Sequence, residues 1–129
     1  MHSFILLTTT KFESLDYDLL FTIITKKSWR TASSTGEYSP ESLTTEGFIR
    51  CIPDKELEAY ANSQFGPTDE LLLIVIDPLR IQVPIKHEKV GDISYPLIYG
   101  SLSLDAIIEK IKLPRDNKGK FMISIKHYD

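Results

Sequence analysis

The stretch Leu71-Leu72-Leu73-Ile74-Val75-Ile76, followed by Asp77-Pro78, decides the fold. Six apolar residues without a polar interruption are too few for a membrane helix. As a strand, such a run is apolar on both faces and so belongs in the middle of a sheet, covered on each side. A central strand over residues 71–77 is therefore the starting point, and Asp77-Pro78 turns the chain away from it.

Downstream, residues 83–89 (VPIKHEK) alternate as a half-exposed strand, and Pro84 marks it as an edge. Gly91-Asp92 supplies a turn. Residues 95–105 (YPLIYGSLSLD), holding a proline and a glycine, read as irregular. Residues 106–112 (AIIEKIK) read as a strand from their β-branched content and the stop at Pro114. After a turn over 116–119, residues 121–125 (FMISI) close with another strand.

Upstream, Pro53 and Asp54 open a helix running to about Phe65. It carries acidic residues in its first turn and Leu57, Tyr60, Ala61 and Gln64 on one face. Residues 47–51 (GFIRC) form a short strand, and residues 38–45 a polar loop. Thr25 caps a helix over residues 25–34 that contains Trp29 and ends at Gly36. Residues 19–25 (LLFTIIT) read as a buried strand. Five or six strands with two helices in the N-terminal half give an α+β class with a mixed or antiparallel sheet. Residues 1–18 form an arm or an extra strand, and residues 19–129 a single domain.

Composition agrees. The 129 residues are 42% hydrophobic and 26% charged, ordinary for one globular domain. Fifteen Lys and Arg against eighteen Asp and Glu leave a net charge of −3, so net charge does not support nucleic-acid binding. The single cysteine, Cys51, excludes an internal disulfide and a thiolate zinc cluster, which fits a reducing cytoplasm. No apolar run is long enough for a signal sequence or a membrane span.

No phosphate-binding glycine loop, nucleophile elbow or zinc-protease motif is present. The histidines, His2, His87 and His127, are scattered, so no metal is expected. Arg50 lies inside an apolar strand, where its planar donor fork pairs with a carboxylate or holds a phosphate. The two-residue strand period puts Phe48 on the face of Arg50, and sets Glu88 and His87 on opposite faces of their strand. Glu88 is the candidate catalytic carboxylate. Tyr95 and Tyr99 are candidate stacking surfaces, and Arg50, Tyr95, Tyr99 and Phe48 together the candidate ligand-binding set. A buried Cys51 without an activating histidine is a small hydrophobe.

Four collinear pieces, LFTIITKKSW (20–29), SPESLTTEGFIRC (39–51), ELLLIVIDPLRI (70–81) and YPLIYGSLSLDAI (95–107), resemble the bacterial family called domain of unknown function 952. The likeness covers residues 20–123, including the closing LPRDNKGKF. It implies a small split-sheet domain like that of ADP-ribosyltransferases, whose active members bind NAD. Family members commonly carry histidine where this chain has Thr22, Arg50 and Leu97, and serine where it has Ile52; Glu88 matches a carboxylate often present. Threonine, isoleucine and leucine cannot exchange protons near neutral pH as imidazole does.

The resemblance therefore implies a non-catalytic or vestigial member that binds a small ligand, a nucleotide or a protein partner in a cleft near Arg50, Glu88 and Tyr99, with no cofactor. The alternative is an NAD-dependent transferase or nucleotide-processing enzyme, with Arg50 on a pyrophosphate and Glu88 stabilising positive charge on the ribose. A third reading makes residues 1–18 the contact of a partner-binding module.

Overall fold

The computed structural model describes residues 19–123 and 125, so the arm-or-strand question for residues 1–18 lies outside the described residues. The chain forms β1 (Leu20–Thr25), α1 (Lys26–Thr35), β2 (Glu37–Tyr38), α2 (Ser42–Thr45), β3 (Ile49–Arg50) and α3 (Leu57–Gln64, entered through a 3-10 turn at Asp54–Glu56). Then follow β4 (Leu71–Ile76), β5 (Ile85–Val90), β6 (Ile93–Ile98), β7 (Leu102–Ser103) and β8 (Ile107–Lys112). The result is a small α+β domain whose strand pairs are all antiparallel.

β4 is the centre of the sheet β1-β4-β8, and all six of its residues are buried. Alternate residues feed two cores. Leu72, Ile74 and Ile76 join Leu20, Ile24, Ile49, Cys51 and Ile98, with Trp29 of α1 against them. Leu71, Leu73 and Val75 join Phe21, Ile23, Ile52, Leu57 and Ala61, so α3 covers the other face. Layers on both sides are the physical reason the strand has no polar residue.

The second sheet has the order β3-β6-β5. Ile49, Ile98 and Ile85 point from it into the first core, while its other face carries Arg50, Leu97 and Lys86 in register. The α1 boundaries follow their signals. Thr25 accepts a hydrogen bond from the Ser28 backbone, and Gly36 closes the helix at φ 89° in the left-handed region.

Four expectations are corrected. Residues 38–45 are not simply a loop, because Tyr38 pairs with Leu102 across β2 and β7 and Ser42–Thr45 makes a helical turn. Residues 95–105 are not irregular. Residues 93–98 form the middle strand of the second sheet, and β7 follows. The strand expected over 47–51 is only two residues long. Cys51 N–H donates to the Pro96 carbonyl at 2.8 Å, the proline cannot return the bond, and Ile52 N–H turns instead to Phe21 of β1 at 2.7 Å.

The closing strand over 121–125 is, in the described residues, a single bridge from Arg115 to Phe121. Asn62 of α3 supplies what a strand partner would have, accepting from Phe121 N–H at 2.9 Å and donating to its carbonyl at 3.1 Å. Among the described residues no helix is long and apolar enough to cross a membrane.

Candidate functional site

The outer face of the second sheet gathers the chemistry. Arg50 on β3 and Leu97 on β6 are direct partners, as are Leu97 and Lys86 on β5, and Tyr95 and Glu88. Directly paired residues of an antiparallel sheet share a face, and so do residues two apart on one strand. Phe48, Arg50, Tyr95, Leu97, Lys86 and Glu88 therefore project to one side. His87 pairs with Pro96 and projects to the other, as the two-residue period requires.

The side chains meet there. Arg50 Nη1 donates to Glu88 Oε1 at 2.8 Å, across the strand that separates them. The same guanidinium lies 5.3 Å from the Phe48 ring centroid and 5.5 Å from that of Tyr95. Phe48 and Tyr99 are in ring contact at 5.5 Å with planes tilted by 56°. Lys86 Nζ stands 5.1 Å from the centre of the Tyr99 ring. All five candidates read from the sequence, Phe48, Arg50, Glu88, Tyr95 and Tyr99, thus lie in one connected group. The Arg50 and Glu88 side chains remain 32% and 44% exposed, so the group is a surface open to solvent.

Leu97 lies between Arg50 and Lys86 on this outer face, yet it is only 4% exposed and belongs to neither core. It is an apolar residue sheltered between two charged neighbours in register.

Tyr99 is held from behind. Its backbone N–H donates to the Pro84 carbonyl at 2.9 Å. At the next residue, Gly100, a Cβ would stand 2.7 Å from Val83 Cγ1, so only glycine allows the two segments to approach this closely.

Three residues of the surroundings were not singled out in the sequence. Lys86 follows from the same period that selects Glu88, two positions on. Tyr60 of α3 has its hydroxyl pKa raised by burial, with Arg50 opposing the shift and Glu46 and Tyr95 adding to it. Tyr38 of β2 is pushed up to about 12, by burial first and then by Tyr60 and Cys51. No local pattern announces these tyrosines, because folding alone brings α3 and β2 toward β3.

Thr22, Arg50 and Leu97, the positions where the sequence resemblance implies histidine, meet at β3, although Thr22 lies just before the residues 23–110 that the family model matches. Thr22 Oγ1 donates to the Arg50 carbonyl at 3.3 Å, and Arg50 faces Leu97 in register. Ile52 is buried in the second core. Cys51 is fully buried, and burial pushes its thiol up to about 12, so it is no nucleophile. Among the described residues no cluster of His, Cys, Asp and Glu could hold a metal.

No curated protein sequence matches this chain. The crystal structure of protein CC0527 from Caulobacter crescentus is similar, with a TM-score of 0.73 at 20% identity over 81% of this chain and 94% of that one. The solution structure of CC0527 gives a TM-score of 0.64 at 21% identity over 79% of this chain and 90% of that one. At this identity the likeness shows a shared fold. The family described as Protein of unknown function (DUF952) matches residues 23–110, a span that holds every residue of the candidate site but stops before the closing LPRDNKGKF, and the chain belongs to that family.

Proposed function

We propose that this chain is a non-catalytic family member that binds a small nucleotide-like ligand on the outer face of the β3-β6-β5 sheet. The observation that carries this is the half-exposed Arg50 guanidinium, lying over both the Phe48 and Tyr95 rings. A fixed cation beside aromatic faces suits an anion joined to a planar ring: the guanidinium takes the anion through its fork, and a ring takes the base. Phe48 and Tyr99, in contact with each other, extend that aromatic surface. The likeness to ADP-ribosyltransferase-like domains implied by the sequence favours an ADP-containing ligand.

Binding without turnover is favoured by what surrounds Arg50. Thr22 and Leu97 occupy two positions where the sequence resemblance implies imidazole, and His87 projects from the opposite face. Glu88 accepts from Arg50, so its carboxylate acts first on the guanidinium. A reducing cytoplasm is the proposed setting for the buried Cys51 thiol.

Titrating ADP, ADP-ribose and NAD while following thermal unfolding tests the reading. A ligand at a hundred times its dissociation constant contributes about 2.7 kcal/mol of stability. ADP or ADP-ribose should raise the melting temperature, and NAD should be recovered intact. Release of nicotinamide would instead favour the enzymatic alternative, an NAD-dependent transferase or nucleotide-processing enzyme with Arg50 on the pyrophosphate and Glu88 against the ribose. The absence of any shift with all three would reject a nucleotide ligand.

A further inference from the structure

Lys86 and Glu88 give the ligand-binding face a more specific chemistry. Arg50 and Lys86 stand directly opposite Leu97, one on each side of β6. With strands about 4.8 Å apart, their backbones are separated by about 10 Å, and both side chains rise from the same face. Two cations at that spacing, each on a flexible stem, can close on one anion of two phosphate units lying above the buried Leu97. Among the described residues Lys86 has no ion-pair partner; its contact is the Tyr99 ring at 5.1 Å. Arg50 has one, the Glu88 carboxylate, which itself sits two residues from Lys86 on the same face of β5.

We propose that Arg50 and Lys86 form a two-cation seat for a diphosphate, and that Glu88 is the resident anion which the ligand displaces from Arg50. This rests on the reading of the outer face as a ligand-binding surface and adds to it a ligand class, a second binding residue and an internal competitor. The exchange is energetically accessible. An ion pair this exposed contributes little to stability, so releasing Glu88 into water costs little. A diphosphate offers the guanidinium two parallel hydrogen bonds in place of one, and offers Lys86 a charge it now lacks. The Phe48 and Tyr99 rings lie at the Arg50 and Lys86 ends of the seat, where a base attached to the diphosphate would stack.

Two probes separate the anion from the ring. Inorganic pyrophosphate carries the diphosphate alone, and ADP carries it with a base. Isothermal titration of each into the full chain, into Glu88→Gln, into Lys86→Ala and into Arg50→Ala tests the seat, with thermal unfolding confirming that each variant is folded. Removing the competitor should tighten pyrophosphate binding by about two- to fivefold, the equivalent of a half-exposed ion pair. Removing Lys86 should weaken it about tenfold, the equivalent of one charge-assisted contact. Pyrophosphate binding that Glu88→Gln leaves unchanged or weakens, or that Lys86→Ala leaves unchanged, overturns the seat, as does no pyrophosphate binding at all. If ADP still binds in an Arg50-dependent manner in any of those cases, the ligand-binding face stands and only the two-cation seat is lost.

Discussion

Arg50 and Glu88 stand on the two outer strands of a three-stranded sheet and close a 2.8 Å ion pair diagonally across the strand between them. Leu97 and Tyr95 of that middle strand share their face. The pair is only half-buried, and exposed ion pairs contribute about 0–1 kcal/mol. Its weight is therefore in holding the guanidinium over two rings rather than in holding the fold. Arg50→Ala should cost about 1 kcal/mol or less in a urea titration. A loss of several kcal/mol would make Arg50 a structural residue.

Ile74 sits in the middle of β4, 1% exposed, with Thr22 opposite on β1 and Lys110 opposite on β8. Truncating it removes apolar contacts and leaves a cavity that neighbouring strands on both sides cannot collapse to fill. Ile74→Ala should destabilise by about 2–5 kcal/mol at equilibrium. A loss below about 1 kcal/mol would contradict the central placement of β4.

Gly100 and Val83 are coupled by contact. A methyl group at Gly100 would lie 2.7 Å from Val83 Cγ1, too close without movement of the segment that holds Tyr99. Gly100→Ala should cost about 1–3 kcal/mol as an overpacked contact. Adding Val83→Ala should recover part of that loss, a non-additivity read from the double-mutant cycle. Strict additivity would mean that the Gly100 cost has another origin.

Alkali should weaken the fold in a defined order. Burial raises the Cys51 thiol from its ordinary 9.0, and the Tyr38 hydroxyl from 10.0, each to about 12. The unfolded chain therefore releases these protons first. The stability held by the neutral groups is whole below about pH 9 and is lost as pH rises toward 12, by up to about 1.4 kcal/mol per pH unit and group. The urea midpoint should be flat through neutrality and fall from about pH 9 upward, with the first part of the fall absent in Cys51→Ala. A midpoint that holds steady to pH 11 would show that these groups are not buried as described.

Legibility in the sequence followed the range of the interactions. The LLLIVI run, the Thr25 cap and the Gly36 stop are local signals, and each sits where its physics puts it. β6 was hidden by Pro96 in its middle, since a proline argues against an interior strand. It is tolerated because its carbonyl accepts from Cys51 while the missing N–H faces the point where β3 ends. The last segment differs for the opposite reason: its apolar pattern is that of a strand, but among the described residues Asn62 and Glu58 of α3 satisfy the backbone of Phe121 and Ile123 from a helix. Within the site, the two-residue period placed Phe48 beside Arg50 and set Glu88 apart from His87. That Arg50 and Glu88 would meet across a third strand depended on the order β3-β6-β5, which no local pattern encodes.

On the proposed function, the outer sheet face around Arg50 takes a small anionic, ring-bearing ligand. The most direct measurement is an NMR titration of the isotopically labelled full chain with ADP, repeated on Arg50→Ala. Saturable shifts should be confined to Phe48, Arg50, Lys86, Glu88, Tyr95, Leu97 and Tyr99, and should be lost in the variant while its melting temperature stays within a few degrees. Shifts that persist unchanged in Arg50→Ala, or that fall on α1 and β8 instead, would contradict that function.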